Sequence, residues 1–509
     1  MSASGARFQP RPYQAAAVRQ VLALYERGQR NLLLHLPTGS GKTVIASLII
    51  DALLRRWDGA GRVLFLAHRK ELLEQTAATL RRQIPGVTIG IEQGRRRADL
   101  DARIVIASIQ SLVHRKDRYP AARFAAIICD ECHRALAPRW LEVIGYFRDQ
   151  RPDATLLLGM TATPRRSDGR SATALFDTVA YAISRPELQD LGYLAPVHYW
   201  SVRADLRLDQ VAMAGADFQV TSLSRAMNQP AVRALTLRAW EQHGRGRKTL
   251  GFAASVAHAR QLTEEFAAAG YRAACIDGRT QQRERLLDRF ARGELDILFN
   301  YGVLIEGFDD PSIECLLMAR PTTSPLVYEQ CMGRGLRTRP GKSACTVIDI
   351  VDRSTHQLQY SAPRSAGLPD GWRCRGRDPF REARALRGIK VSDPDAFLAI
   401  RAAGDLDQVQ DLLMALPPEV VVAGLDGEPV LNYQPVADAD ADAEPDRTAP
   451  MSDSRPDRSS PSALDEAEIA ARIRAIADQA GATVTGIDLV AEPGGPLRAR
   501  VSLRHPRVA

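Results

Sequence analysis

Short apolar runs alternate with stretches whose apolar positions recur every three or four residues. Leu32–Leu34, Val63–Ala67, Ile104–Ala107, Ala125–Cys129 and Thr155–Met160 are apolar runs of strand length. Between them, Ala17, Val18, Val21, Leu22 and Leu24, and then Val44–Ile50, have helical spacing. A second set of strands follows at Lys248–Ser255, Tyr271–Ile276, Asp296–Asn300, Cys315–Ala319 and Ala344–Ile350. Strands alternating with amphipathic helices predict an α/β fold with parallel sheets.

The same pattern divides the chain. Residues 1–195 hold the first alternating set and 231–355 the second. Residues 196–230 are mixed, with Gly192-Tyr193-Leu194-Ala195-Pro196 just ahead of them, and are read as a connection with a hinge. Residues 356–432 form an extension, with a Gly/Pro/Arg-rich loop near Trp372 and helices from Asp395 to Leu416. Trp372 with Arg373, Arg375 and Arg377 is read as packed on the preceding domain, with base stacking as the alternative. Residues 433–461 are rich in Asp, Ala, Pro and Ser and read as a disordered linker. Residues 462–509 predict a small unit: an amphipathic helix to Gln479, then a hairpin around Pro493-Gly494-Gly495-Pro496.

Composition adds modest constraints. The 509 residues exceed one core. No apolar run approaches the roughly 20 residues of a membrane span, so no membrane partner is expected. The first residues lack the apolar centre of a leader, and a cytoplasmic, nucleoid-associated protein is the expectation. Net charge is +8, while residues 433–461 carry seven acidic and three basic side chains, so the rest is more basic still. That fits a polyanionic partner. The seven cysteines are scattered, with only Cys129 and Cys132 in CxxC spacing, and read as reduced thiols.

The chemistry concentrates at strand ends, where ligands of open α/β sheets bind. Leu32–Leu34 leads into Thr38-Gly39-Ser40-Gly41-Lys42-Thr43 and a helix. The glycines let backbone N–H groups cradle phosphate oxygens at a helix N-terminus. Lys42 would reach the outer phosphates and the Thr43 hydroxyl would hold Mg²⁺. Asp130 and Glu131 end a buried strand, a costly place for two acids unless they serve something. Asp130 can orient a metal and Glu131 can deprotonate a water. Thr161-Ala162-Thr163 ends the next strand. Arg334 and Arg337, three apart, share one helix face. Such guanidinium groups suit γ-phosphate oxygens and can be worth roughly 10³–10⁵ in rate.

Taken in order, Gly39-Ser40-Gly41-Lys42-Thr43, Asp130-Glu131-Cys132-His133, Thr161-Ala162-Thr163 and Gln330-x-x-Gly333-Arg334-x-x-Arg337 resemble the motifs of superfamily 2 helicases of the DECH kind. Arg11-Pro12-Tyr13-Gln14 resembles the family's adenine-reading motif, and Leu66–Leu72 its first nucleic-acid-backbone motif. Ala253-Ala254-Ser255 and Glu306-Gly307-Phe308-Asp309 resemble the fourth and fifth. Within the superfamily the chain looks most like the bacterial RadD-type DNA-repair ATPases, without the four-cysteine zinc module of some of them. The resemblance implies two tandem RecA-like domains with ATP and Mg²⁺ between them. It makes Lys42, Asp130, Glu131, Gln330, Arg334 and Arg337 catalytic. It assigns nucleotide contacts to Arg11, Gln14, Thr38–Thr43, Gly307 and Asp309, and coupling to His133, Thr161 and Thr163. Nucleic acid is expected along Arg69, Gln110, Ser111, Ser255, Arg279 and Asn300.

The implied function is an ATP-dependent DNA helicase or translocase in repair or recombination, working as a monomeric motor. The alternatives are an RNA helicase, an ATP-switched clamp, or the motor of a defence complex joined to a protein partner through the C-terminal unit.

Overall fold

A computed structural model describes residues 9–58, 60–68, 70–162, 172–305, 307–353, 359–388, 399–400, 402–414, 483–490 and 498–504. Arg69, Thr163, Glu306, the linker at 433–461 and the helix predicted before Gln479 lie outside them.

The first sheet has seven parallel strands: β1 (Asn31–His35), β2 (Arg62–Ala67), β3 (Ile89–Glu92), β4 (Ile104–Ser108), β5 (Phe124–Asp130), β6 (Leu156–Thr161) and β7 (Thr178–Ala182). Their order is β3-β4-β2-β5-β6-β1-β7. The central strands β2, β4 and β6 are buried along their whole length, which is why they read as unbroken apolar runs. One face packs on Pro12–Glu26, Lys42–Arg56 and Lys70–Gln83. The other packs on Pro138–Arg148 through Trp140, Val143, Ile144 and Phe147.

Next in the chain is β8 (Val197–Ala204), followed by a short hairpin of β9 (Met213–Ala214) and β10 (Asp217–Phe218). The second sheet then adds β11 (Thr249–Ala253), β12 (Ala273–Ile276), β13 (Ile297–Asn300), β14 (Cys315–Ala319) and β15 (Cys345–Asp352). Its order is β12-β13-β11-β14-β15-β8. The stretch 196–230, read from sequence as a connection, therefore contains an edge strand of the second sheet. β8 pairs with β15 in parallel over eight residues, Val197 opposite Cys345 and Ala204 opposite Asp352. Both sheets are parallel and flanked by helices, the architecture of tandem RecA-like domains.

The extension closes on the second sheet. Trp372 is 2% exposed and donates from Nε1 to Glu382 at 2.7 Å. Arg375 pairs with Asp405 and Asp407, and Arg377 with Glu382 and Asp407. Trp372 is thus a packing residue with its ring enclosed, and base stacking on it is excluded. The helix Leu406–Met414 falls inside the predicted helical region.

The C-terminal residues 434–509 form a unit of their own. In it β16 (Thr483–Val490) and β17 (Arg498–Arg504) pair antiparallel, with Asp488 opposite Arg500. This is the predicted hairpin.

Candidate nucleotide site

The loop after β1 is shaped by two glycines. Gly39 and Gly41 hold φ of +90° and +77°, a left-handed backbone that a side chain would strain. Gly41 is also the N-cap of the helix Lys42–Arg56, so free N–H groups of its first turn face the loop. The Thr38 and Ser40 hydroxyl oxygens are buried and have no hydrogen-bond partner among the described residues. A cradle of open N–H groups with two unsatisfied hydroxyls matches an oxyanion.

Lys42 Nζ lies 3.4 Å from Glu131 Oε1 and 3.5 Å from the Leu36 carbonyl. Glu131 sits at φ +49°, a sharp turn that projects its carboxylate beyond β5. Burial would push this carboxyl up. Lys42 first, then His133, outweigh that and hold it below its ordinary value, so it is a carboxylate at neutral pH. Asp130 is 6% exposed and accepts from the Glu131 N–H at 3.0 Å. Thr43 and Asp130 offer a hydroxyl and a carboxylate oxygen, the hard donors that suit Mg²⁺ completed by waters and phosphate. These residues fit the expected ion.

His133 Nδ1 stands 3.2 Å from Thr161 Oγ1 and 3.5 Å from Glu131 Oε2. It joins the end of β5 to the end of β6, as the coupling assignment requires.

The adenine-side residues converge on the same loop. Gln14 is buried and donates to the Ser40 carbonyl at 3.3 Å, while its Oε1 accepts from the Arg11 N–H at 3.0 Å. Tyr13 donates to the same carbonyl at 2.5 Å. The Arg11 guanidinium lies 4.8 Å over the Tyr193 ring. Tyr193 also packs on Tyr13, with centroids 5.1 Å apart. Tyr13 and Tyr193 were missed in the sequence reading. Tyr13 lies inside the quoted motif, whereas Tyr193 is far away in sequence and offered no signal.

The second sheet supplies the helix Pro325–Gly335. Gly333 lies against the phosphate loop so closely that a Cβ there would be 2.1 Å from Thr38 Cγ2. Arg334 is 6% exposed, and its Nη1 donates to the Phe308 carbonyl at 2.5 Å. Burial, then Arg337, push its pKa down to about 9, and it stays a cation at neutral pH. Arg337 donates to the same carbonyl at 2.8 Å and pairs with Asp309. Gly307, at φ +76°, turns this loop back. Gln330 is 3% exposed, and its Nε2 has no partner among the described residues. Lys42, Asp130, Glu131, Arg334 and Arg337 thus meet from two sheets on one loop.

The expected nucleic-acid contacts are dispersed. Ser111 Oγ holds Ser108 and the Gly94 N–H. Ser255 caps the helix Val256–Ala268 and bonds Ser224. Asn300 is buried and bridges the Gly251 carbonyl and the Leu304 N–H, so it holds a turn and presents nothing to solvent. Arg279 is exposed, and Gln110 lies 2.9 Å from His68.

Fold and site define a two-domain phosphate-loop protein with acids on one domain and arginines on the other. Residues 7–166 match the family model of the type III restriction enzyme res subunit, and residues 230–339 that of the helicase conserved C-terminal domain. The chain is 31% identical over 369 residues to a Saccharomyces cerevisiae protein named as the ATP-dependent helicase IRC3, covering 70% of this chain and 53% of that one. It is 30% identical over 366 residues to a Schizosaccharomyces pombe protein of the same name, covering 71% and 60%. It spans little more than half of these relatives' length. A solved fragment of an HsdR subunit of a type I restriction enzyme from Vibrio vulnificus YJ016 matches at TM-score 0.53 and 25% identity, over 68% of this chain and 65% of that one. The chain belongs to the superfamily 2 helicases.

Proposed function

We propose that the chain is an ATP-driven motor on nucleic acid, acting on DNA in repair or recombination in the cytoplasm beside the nucleoid. The observation that carries this reading is the seating of Gly333 on Thr38, which brings the arginine helix onto the phosphate loop. In the reaction, Glu131 orients the attacking water and takes its proton. Lys42, Arg334 and Arg337 face the charge that develops on the transferred phosphoryl oxygens. Thr43 and Asp130 would hold Mg²⁺, which neutralises phosphate charge when bound. Arg11, Gln14 and Tyr193 form the adenine end. His133 and Thr161 relay the state of Glu131 to the neighbouring strand.

The choice of DNA rests on the Asp130-Glu131-Cys132-His133 signature and its RadD-type setting. The C-terminal unit is assigned to a protein partner, and the motor to a monomer. The test is ATP hydrolysis with no nucleic acid, single-stranded, duplex and forked DNA, and RNA, beside Lys42→Ala. Stimulation by DNA that vanishes in the variant supports the motor. Stimulation by RNA alone overturns the DNA assignment. Stimulation without displacement of a strand from forked DNA identifies a translocase or clamp.

A further inference from the structure

A cleft of about 1060 Å³ opens beside the nucleotide site, with His133 and Gln110 in its wall. Ligand pockets run to about 1,000 Å³, so it has room for more than one nucleotide. Its lining includes three arginines, Arg134, Arg139 and Arg185, against one carboxylate, Glu329.

Arg185 opens the helix Arg185–Asp190, which connects the two sheets. It is 6% exposed, with the Phe380 ring 4.7 Å from its guanidinium. One nitrogen, Nη2, pairs with Glu329. Glu329 is also satisfied by the Ser365 hydroxyl at 2.6 Å. The other two nitrogens, Nε and Nη1, are buried without a hydrogen-bond partner among the described residues. Burying a charged fork with two donors unused is costly. Burial pushes its pKa down to about 10, so the group is still cationic. A bidentate oxyanion would satisfy both donors.

We propose that this cleft binds a backbone phosphate of a single nucleic-acid strand, with Arg185 as the buried anchor and Arg139 at the mouth. The proposal rests on the motor reading and adds a contact on the connecting helix. Mixed apolar and basic lining suits sugar and base faces between phosphates. Because Arg185 bridges to Glu329 on the arginine helix, a strand held there would bear directly on the element that carries Arg334.

The test is fluorescence anisotropy of labelled oligo-dT and oligo-rU across a salt series. The proteins are the full chain, Arg185→Gln/Glu329→Gln and Arg139→Gln. The double variant removes both charges, so neither is left buried alone, and Arg139 is exposed, so its loss spares the fold. Each phosphate contact contributes about 0.7 to the slope of log affinity against log salt for a single strand. The slope is expected to fall by about that much in each variant, with weaker binding at every salt concentration. An unchanged slope in a double variant that melts as the wild type does overturns the proposal. If the double variant fails to fold, an unchanged slope in Arg139→Gln overturns it. Inorganic phosphate that displaces the strand at equal concentration overturns the strand assignment. A wild-type chain that hydrolyses ATP but binds neither oligonucleotide sinks this proposal and the motor reading together. Binding with an unchanged slope in both variants sinks this proposal alone.

Discussion

Gly333→Ala should disable the motor without unfolding it. The new methyl carbon would stand 2.1 Å from Thr38 Cγ2 and 2.4 Å from Thr38 Cβ. Carbon atoms settle at about 3.5–4.0 Å. Either the arginine helix or the phosphate loop must therefore retreat by about 1.5 Å. Arg334 is the next residue, so its guanidinium moves with the helix. A misplacement of about 1 Å can cost about 10²-fold in rate. The expected loss in kcat is about 10²-fold, or roughly 2.7 kcal/mol of barrier. KM for ATP should change little, because Arg11, Gln14 and the loop glycines are untouched. Steady-state ATP hydrolysis with saturating nucleic acid, read as kcat and KM separately, is the assay. A thermal melt shows that the fold persists. Wild-type kcat in Gly333→Ala would refute the reasoning, because the arginine helix would then not rest on Thr38 in the working state. Gly335→Ala is the contrast: its methyl would meet Cys345 Sγ at 2.5 Å and the Leu316 side chain, inside the second domain, and should lower the melting temperature instead.

Three further outcomes follow from the site and core. Glu131→Gln keeps the shape of the side chain and removes the base, so kcat should drop by about 10²–10⁴-fold while binding of an ATP analogue, measured by calorimetry, survives. Chelation of divalent ions should stop hydrolysis and added Mg²⁺ should restore it, since Thr43 and Asp130 provide only part of a coordination shell. Asp349 is buried, and burial raises its pKa to about 7, against the pull of Tyr328 at 2.8 Å and Tyr199 at 3.0 Å. The folded protein therefore holds this proton more tightly than the unfolded chain. Stability from this group is complete below its ordinary pKa of 3.8 and is lost as pH rises toward 7, by a few kcal/mol at most. Melting curves of Asp349→Asn should lack that component, and an identical pH profile in both proteins would count against it.

The amino-acid sequence determined what is local along the chain. β2, β4, β6 and β14 are buried on both faces, so water exclusion alone demands continuous apolar runs and makes them readable. The phosphate loop, the acids after β5 and the arginine helix are each short motifs whose backbone geometry is set by their own residues, such as Gly39 and Gly41. Edge elements were harder to read. β7 and β8 are half exposed, with mixed polar and apolar positions, and only their hydrogen bonds to β1 and β15 make them part of a sheet. What tertiary structure alone decided are contacts between residues distant in sequence. Tyr193 stacks under Arg11, Gly333 needs its bare Cα because Thr38 occupies the space, Asn300 is consumed by a turn, and Arg185 finds Glu329 on another domain. Burial and charge pairing act through space, and chain order does not encode which side chains will share that space.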